Sequence, residues 1–487
     1  MALAAAAGAF ALAFTDAALA HAVGERYDLP VPLGYYLTGA ALAVILTFVA
    51  AALMPARRLL GRRSTGERAP TTAWPIPRVV VTVARAVAIF LLLLTVAAGL
   101  WGDPHPARNF APTFVWIIWW IGFALVAALV GDPWPLANPW RALFDAVAPR
   151  RGRPRWTYPE RLAAWPAVAL LLALAWLEVI SPFAADPRAL AVVITVYSIV
   201  TWIGMTRFGA DIWLRRVDPV ALAFATLGRF APLAITRDGA DGRITAAPRP
   251  PGAGLLDDDG IDRSLIAFVM AMLSTVLFDG FLGTALWRNW DRFVGGLLPR
   301  GFDRESYVAA TAALLGLWLL FLAAYHATAW LTRRLDPIGN PGRAFCLTLV
   351  PIAVGYNVAH NFTYLAVQSQ EIAVLATDPF GRGWNLLGTA GFKADIGLID
   401  PAVTWTVAVV AIVAGHVVAV VLAHLVALRL YGEARRAVRA LVPMTVLMVL
   451  YTVASLGILA EPITRYRTPD PGYSMRIAPL APVDPRG

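Results

Sequence analysis

The chain has 487 residues, 59% of them hydrophobic and only 15% charged, with a mean hydropathy of +0.64. A soluble protein carries roughly 25% charged residues, so a soluble globular enzyme is excluded. The formal charge of +10 does not imply a nucleic-acid partner, because 40 of the 41 basic residues are arginines that fall mostly in loops, as membrane orientation requires.

Residues 1–20 read as a secretory signal, an alanine-rich apolar core ending in the small-x-small site Ala18-Leu19-Ala20 before His21. The missing basic n-region leaves an uncleaved N-terminal helix as the alternative. Ten apolar runs follow, about 34–54, 79–100, 112–130, 162–180, 189–206, 264–285, 307–330, 345–367, 402–426 and 441–460. Runs of that length predict an all-α, polytopic helical membrane protein with about ten transmembrane helices. The connections after odd-numbered spans hold 27 basic residues and the opposite side 13. The odd connections are therefore expected in the cytoplasm of a bacterial inner-membrane protein, with the mature N-terminus and the tail 461–487 outside.

The longest inner connection, 207–263, contains Asp218-Pro219 and an apolar stretch to Phe230, expected to lie as a helix on the membrane. The Pro/Gly-rich segment Pro248–Gly254 reads as a linker. It separates a first five-span half, 21–206, from a second, 264–460, an odd number per half that suits the inverted repeats of transporters. Outside, residues 368–401 are expected to form an ordered cap.

Within the eighth span Asn357, His360, Asn361 and Tyr364 stand at offsets 0, 3, 4 and 7, on one helical face. Polar groups unpaired in hydrocarbon cost several kcal/mol, so this face looks into the protein. Asp279 sits at a similar outer depth in span 6, with Glu178 at the outer end of span 4. Intramembrane ionisable groups mark functional sites. The bland alternative for His360 is an interhelical hydrogen bond. For Arg85 the bland reading, a snorkelling side chain, prevails.

Imidazole and carboxylate donors suit zinc or copper. Asp279 and His360, joined by His21 or His105 and by His416, make up the candidate metal set. His21 as the N-terminal residue offers amine and imidazole to one ion. His326 and His424 lie deeper, at a common depth that would suit haem, although interhelical contacts explain such histidines more often. The single cysteine, Cys346, excludes a disulfide framework and a cysteine-rich zinc site. Walker A, G-x-G-x-x-G, G-x-S-x-G and H-E-x-x-H motifs are absent.

Several stretches resemble a family of bacterial integral membrane proteins known as fenitrothion hydrolases. They are His21–Pro30, Ala111–Trp116, Asn138-Pro139-Trp140-Arg141, Phe278-Asp279-Gly280, Ala359-His360, Ser369-Gln370, Asp378-Pro379-Phe380-Gly381, Gly415–Val418 and Ala423-His424. The resemblance implies a membrane-bound hydrolase of organophosphate triesters that releases a nitrophenol. Asn357 and Asn361 depart from the histidine and tyrosine expected there, which leaves fewer potential ligands. On this reading Asp279 and His360 hold or orient a metal-bound hydroxide that attacks phosphorus. Asn357, Asn361 and Tyr364 position the phosphoryl oxygen. The alternatives are a secondary transporter that binds solute or protons on the same face, or a non-catalytic subunit, with a partner membrane subunit, of a metal- or haem-handling complex. Its other partners are membrane lipid and a small-molecule substrate.

Overall fold

The computed structural model describes residues 29, 31–54, 73–147, 156–238, 242–257, 260–299, 305–395 and 397–464. The signal segment, His21 and residues 465–487 lie outside them, as do the expectations placed there. In chain order the elements are α1 (Leu33–Leu53), β1 (Trp74–Pro75), α2 (Arg78–Trp101), α3 (Phe110–Leu129) and α4 (Pro139–Val147). Next come α5 (Trp165–Val179), α6 (Pro187–Phe208), α7 (Ala210–Arg216), α8 (Pro219–Gly228), β2 (Leu233–Arg237) and β3 (Ile244–Pro248). The second part holds α9 (Arg263–Phe281), α10 (Ala285–Leu297), α11 (Glu305–Leu335), α12 (Pro341–Thr377), α13 (Pro401–Tyr431) and α14 (Ala434–Thr464).

Among the described residues nine of these helices are long and apolar enough to cross a membrane, so the chain is an α-helical, multi-pass membrane protein. The remaining expected span, 162–180, is the 15-residue helix α5, about 22 Å long. Its first end is tied to the start of α9, where Ala164 N donates to Ser264 Oγ at 2.8 Å. Its last turn meets the start of α11, where Trp176 Nε1 donates to Thr311 Oγ1 at 2.9 Å. Local chemistry sets the helix starts. Asp186, Asp262 and Asp400 accept hydrogen bonds from first-turn amides of α6, α9 and α13, which satisfies donors that lipid would leave unpaired.

The connections sort to two ends. At one, β1 and β2 flank β3 in an antiparallel sheet, so the loop after α1 pairs with the 207–263 connection. Asp145 on α4 gathers Arg85, Arg141 and Arg237 at 3.3, 2.9 and 2.9 Å. Arg85 is thus a tether from α2 rather than a snorkelling side chain. At the same end Arg429 Nη1 reaches Leu256 O at 3.3 Å, and Arg436 clasps Asp336. At the other end Asp103 N donates to Phe380 O at 2.9 Å. The first part of the expected cap is accordingly docked on the α2–α3 loop, whereas Leu386, Leu387 and Leu398 are exposed.

Two expectations change. α1 packs on α13 and α14, so the division at 207–263 does not separate two packing units. The apolar stretch after Asp218 does not lie on the membrane. Gly209, at φ +90°, turns the chain so that α7 folds back along α6, with Trp213 against Gly204. Asp218, 1% exposed, then caps α8 by accepting from Val220 N at 3.0 Å and Ala221 N at 2.9 Å. The hydroxyl of Tyr197, in the middle of α6, donates to its other oxygen at 2.7 Å. Arg249 closes the far end, donating Nε to Ala231 O at 2.9 Å and Nη2 to Gly228 O. Every residue of α8 except Leu222 and Ala225 is buried. The pair α7–α8 is a re-entrant hairpin, which is tolerated at membrane depth where its backbone is buried in protein.

Candidate functional site

The polar face of α12 opens on a cavity of about 90 Å³ walled by α3, α5, α8, α9 and α12. Helical spacing aims the donors. Asn357, His360 and Asn361 come from one face of α12, Thr275 and Asp279 from successive turns of α9, and Glu178 from the last turn of α5. His360 Nε2 donates to Asp279 Oδ2 at 2.7 Å. In a neutral imidazole that bond places the hydrogen on Nε2 and leaves Nδ1 as the acceptor, whereas an imidazolium would donate from both nitrogens. The carboxylate is the more open partner, its side chain 43% exposed against 17% for the imidazole.

Across the cavity Trp120 Nε1 donates to Glu178 Oε2 at 3.1 Å. Trp120 belongs to Phe114–Gly122, a π-helical stretch of α3, which packs on a second π-helical stretch, Tyr364–Gln368 of α12. Such wide turns recur at functional sites. Phe224 of α8, its ring centroid 6.1 Å from that of Trp120, forms the wall on the sheet side. Among the described residues no lysine or arginine lines the cavity, and its ionisable side chains are Glu178, Asp279 and His360.

The expected site residues divide. Asp279, His360, Asn357 and Asn361 are brought together. Asn357 Oδ1 is buried with no hydrogen-bond partner among the described residues, an acceptor on the cavity wall. Tyr364 does not line the cavity. It stands one turn beyond His360 and Asn361, at the start of the π turn. His416 is buried elsewhere in α13, where its Nδ1 donates to Ile412 O at 2.8 Å and its ring meets Tyr451 edge-on. It cannot join His360 on one ion. His105 is an exposed cap whose Nδ1 accepts from Ala107 N at 3.3 Å. His326 is exposed on α11 while His424 is buried in α13, so they do not share a site. His21 lies outside the described residues.

Without His21, which lies outside the described residues, the donors brought together do not complete a zinc or copper site. Catalytic zinc takes three protein ligands, and among the described residues no three His, Cys, Asp or Glu side chains are grouped to hold one ion. The nitrogen His360 turns toward Asp279 is occupied by their own hydrogen bond.

Sequence reading missed Trp120 and Phe224 and left Glu178 unassigned. An acid near the end of a span was visible, but its indole partner lies 58 residues away. No family model, curated protein or solved structure matches the chain.

Proposed function

We propose that the chain is a membrane transporter of a small organic cation, with Asp279–His360 as its proton-exchanging pair. The observation that carries this reading is the make-up of the cavity wall: Glu178, Asp279 and His360 stand beside the rings of Trp120 and Phe224, with no Lys or Arg among the described lining residues. Carboxylates in the wall attract a cation, whereas they repel the anionic transition state of phosphoryl attack. The acids are not grouped for a bare metal ion, and the Trp120 and Phe224 rings suit a molecular ammonium ion through cation–π attraction. Size agrees, since about 90 Å³ is well under the roughly 300–1,000 Å³ of drug-sized pockets. The interrupted helix α12 and the re-entrant α8 are of the kind that build transporter sites.

On this reading the excess of basic residues supports a sheet-bearing end in the cytoplasm of a bacterial inner membrane, with both termini outside. The cavity lies near the opposite end, beside the last turns of α5 and α9, and α8 closes it toward the cytoplasm. A substrate cation entering from outside displaces one proton held by the Asp279–His360 pair to the outer solution, and the site emptied inward takes one proton from the cytoplasm.

The test is uptake of methylammonium, ethylammonium and choline by proteoliposomes under an imposed pH gradient. Saturable uptake that Asp279→Asn and Glu178→Gln abolish supports the reading. Uptake no faster than in protein-free vesicles overturns it.

A second reading, the hydrolase, is favoured by the His360–Asp279 bond itself. A carboxylate-oriented imidazole can act as general base on water. Fenitrothion hydrolysis by purified protein, lost in His360→Ala, would establish it.

A further inference from the structure

Three arginines meet one carboxylate at the sheet-bearing end. Asp145 Oδ1 accepts from Arg141 Nε at 2.9 Å, and its Oδ2 accepts from Arg237 Nη1 at 2.9 Å. Arg141 Nη1 also donates to Asp211 Oδ1 of α7 at 2.6 Å. Arg85 stands outside these bonds, its Nη2 3.3 Å from the same Oδ2 that Arg237 holds. Among the described residues no acceptor takes a hydrogen bond from Arg85, and Arg237 Nε also lacks a partner. Three guanidiniums against two carboxylates leave one positive charge. Asp238 and Arg243, at the ends of the β2–β3 turn, add one charge of each sign.

The depth of this leftover charge is set by α2. Arg85 is seven residues past Arg78, where the helix begins, about 10 Å along its axis. Of the nine spans α2 is the least buried, and in the same turns Val79, Val80 and Val83 are exposed apolar side chains, which face lipid. Thr82, one turn before Arg85, is exposed, and the Arg85 side chain is itself 24% exposed. A long side chain at that depth reaches the level where headgroups meet acyl chains. The acceptor found there is phospholipid phosphate, whose free oxygens match the two-pronged donor edge of a guanidinium. Basic pockets between spans at a cytoplasmic end bind anionic headgroups in this way.

We infer that Arg85 binds the phosphate of one anionic phospholipid from the leaflet at the sheet-bearing end. The lipid supplies the acceptor that Asp145 has already given to Arg141 and Arg237, and its negative charge balances the cluster. A zwitterionic lipid offers the same phosphate but brings a cation of its own, so it leaves the extra positive charge unmatched. The bound headgroup holds α2 against α4 and β2, the elements that Asp145 joins. None of these residues lines the cavity beside α12, so the lipid site is independent of what that cavity binds or does.

The test is lipid titration of the full-length protein in detergent, read by thermal unfolding. Phosphatidylglycerol is expected to raise the midpoint more than phosphatidylcholine with the same acyl chains. Arg85→Gln removes the charge, and about fivefold more phosphatidylglycerol is then expected for half of the shift. The two lipids are compared within each variant, so a general loss of stability cancels. Arg85→Lys keeps the charge without the two-pronged edge and is expected to fall between. Equal shifts from both lipids in the wild type, or a phosphatidylglycerol preference that Arg85→Gln leaves intact, overturn the site. Glycerol phosphate tests the source. If it matches the shift of phosphatidylglycerol at the same concentration, the site takes soluble phosphate and the lipid assignment is wrong. Should Arg85→Gln yield no folded protein, Arg85→Lys decides, and a preference equal to that of the wild type overturns the proposal.

Discussion

Tyr197 donates its hydroxyl to Asp218 at 2.7 Å, and this bond anchors the start of a cavity wall in the middle of the bundle. The Asp218 carboxylate also takes the first two free amides of α8. Asp218→Ala removes a cap worth about 1 kcal/mol and leaves a buried hydroxyl unpaired at about 1–3 kcal/mol. The expected loss of stability is therefore about 2–4 kcal/mol, read as a lower unfolding midpoint in detergent. Asp218→Asn, which keeps Oδ1 as the acceptor for the α8 amides and offers Nδ2 as a donor to the Tyr197 oxygen, is expected to lose less than half of that. Equal midpoints for the two variants would show that the cap does not hold α8.

The aromatic wall gives a prediction separable from charge. Phe224→Leu keeps the apolar volume roughly but removes the ring, and cation–π attraction is worth about 0.5–2 kcal/mol. Choline uptake by the variant is expected to need roughly 3- to 30-fold more substrate for half-saturation. Glu178→Gln removes a full charge and is expected to weaken choline and methylammonium alike. A Phe224→Leu variant with unchanged choline affinity would remove the ring from the site.

The spans were legible because about twenty consecutive apolar residues have one use in a membrane protein. Asp279, His360, Asn357 and Asn361 were legible because helical spacing and lipid leave polar side chains only inward directions. The place of α8 was not, since hydropathy reads the same for a helix lying on a membrane and one inserted into a bundle. What decides is the reach of Tyr197 to Asp218 and of Arg249 to Gly228, both long-range contacts. Tyr364 was not separable from the others by spacing, because spacing along one helix does not tell how far a cavity walled by four other helices extends along it. Glu178 lacked a partner in sequence because its indole donor is on another span.

Asp132, in the loop after α3, gives a pH signature. Burial pushes its carboxyl from an ordinary 3.8 to about 6, against a smaller opposing effect of the Trp134 amide. The folded chain therefore holds this proton more tightly than the unfolded one. Its contribution is most favourable below about pH 4, falls as pH rises from about 4 to about 6, and stays low above that. At about 1.4 kcal/mol per tenfold change the ceiling is about 3 kcal/mol. Asp132→Asn keeps an acceptor for Trp134 N and removes the titration. The midpoint difference, variant minus wild type, should grow between pH 4 and pH 6 and then level off. A difference flat across that range would place the group's titration elsewhere.

Helices α12 and α13 cross at Gly355 and Gly415, and this crossing predicts opposite signs for one substitution at two glycines. Gly415→Ala puts a methyl 2.6 Å from Pro351 O, on backbone that no rotamer change can move aside. The helices must separate, at a cost of about 1–3 kcal/mol typical of overpacking. Gly316, on the exposed side of α11, has nothing within 4 Å of an added Cβ. There Gly→Ala gains about 1 kcal/mol of helix propensity without a clash. The first variant should unfold at a lower temperature than wild type in detergent and the second at a higher one. If Gly415→Ala matched wild type, the two helices would be yielding at the crossing, and close backbone contact would not be what holds α12 and its polar face in place.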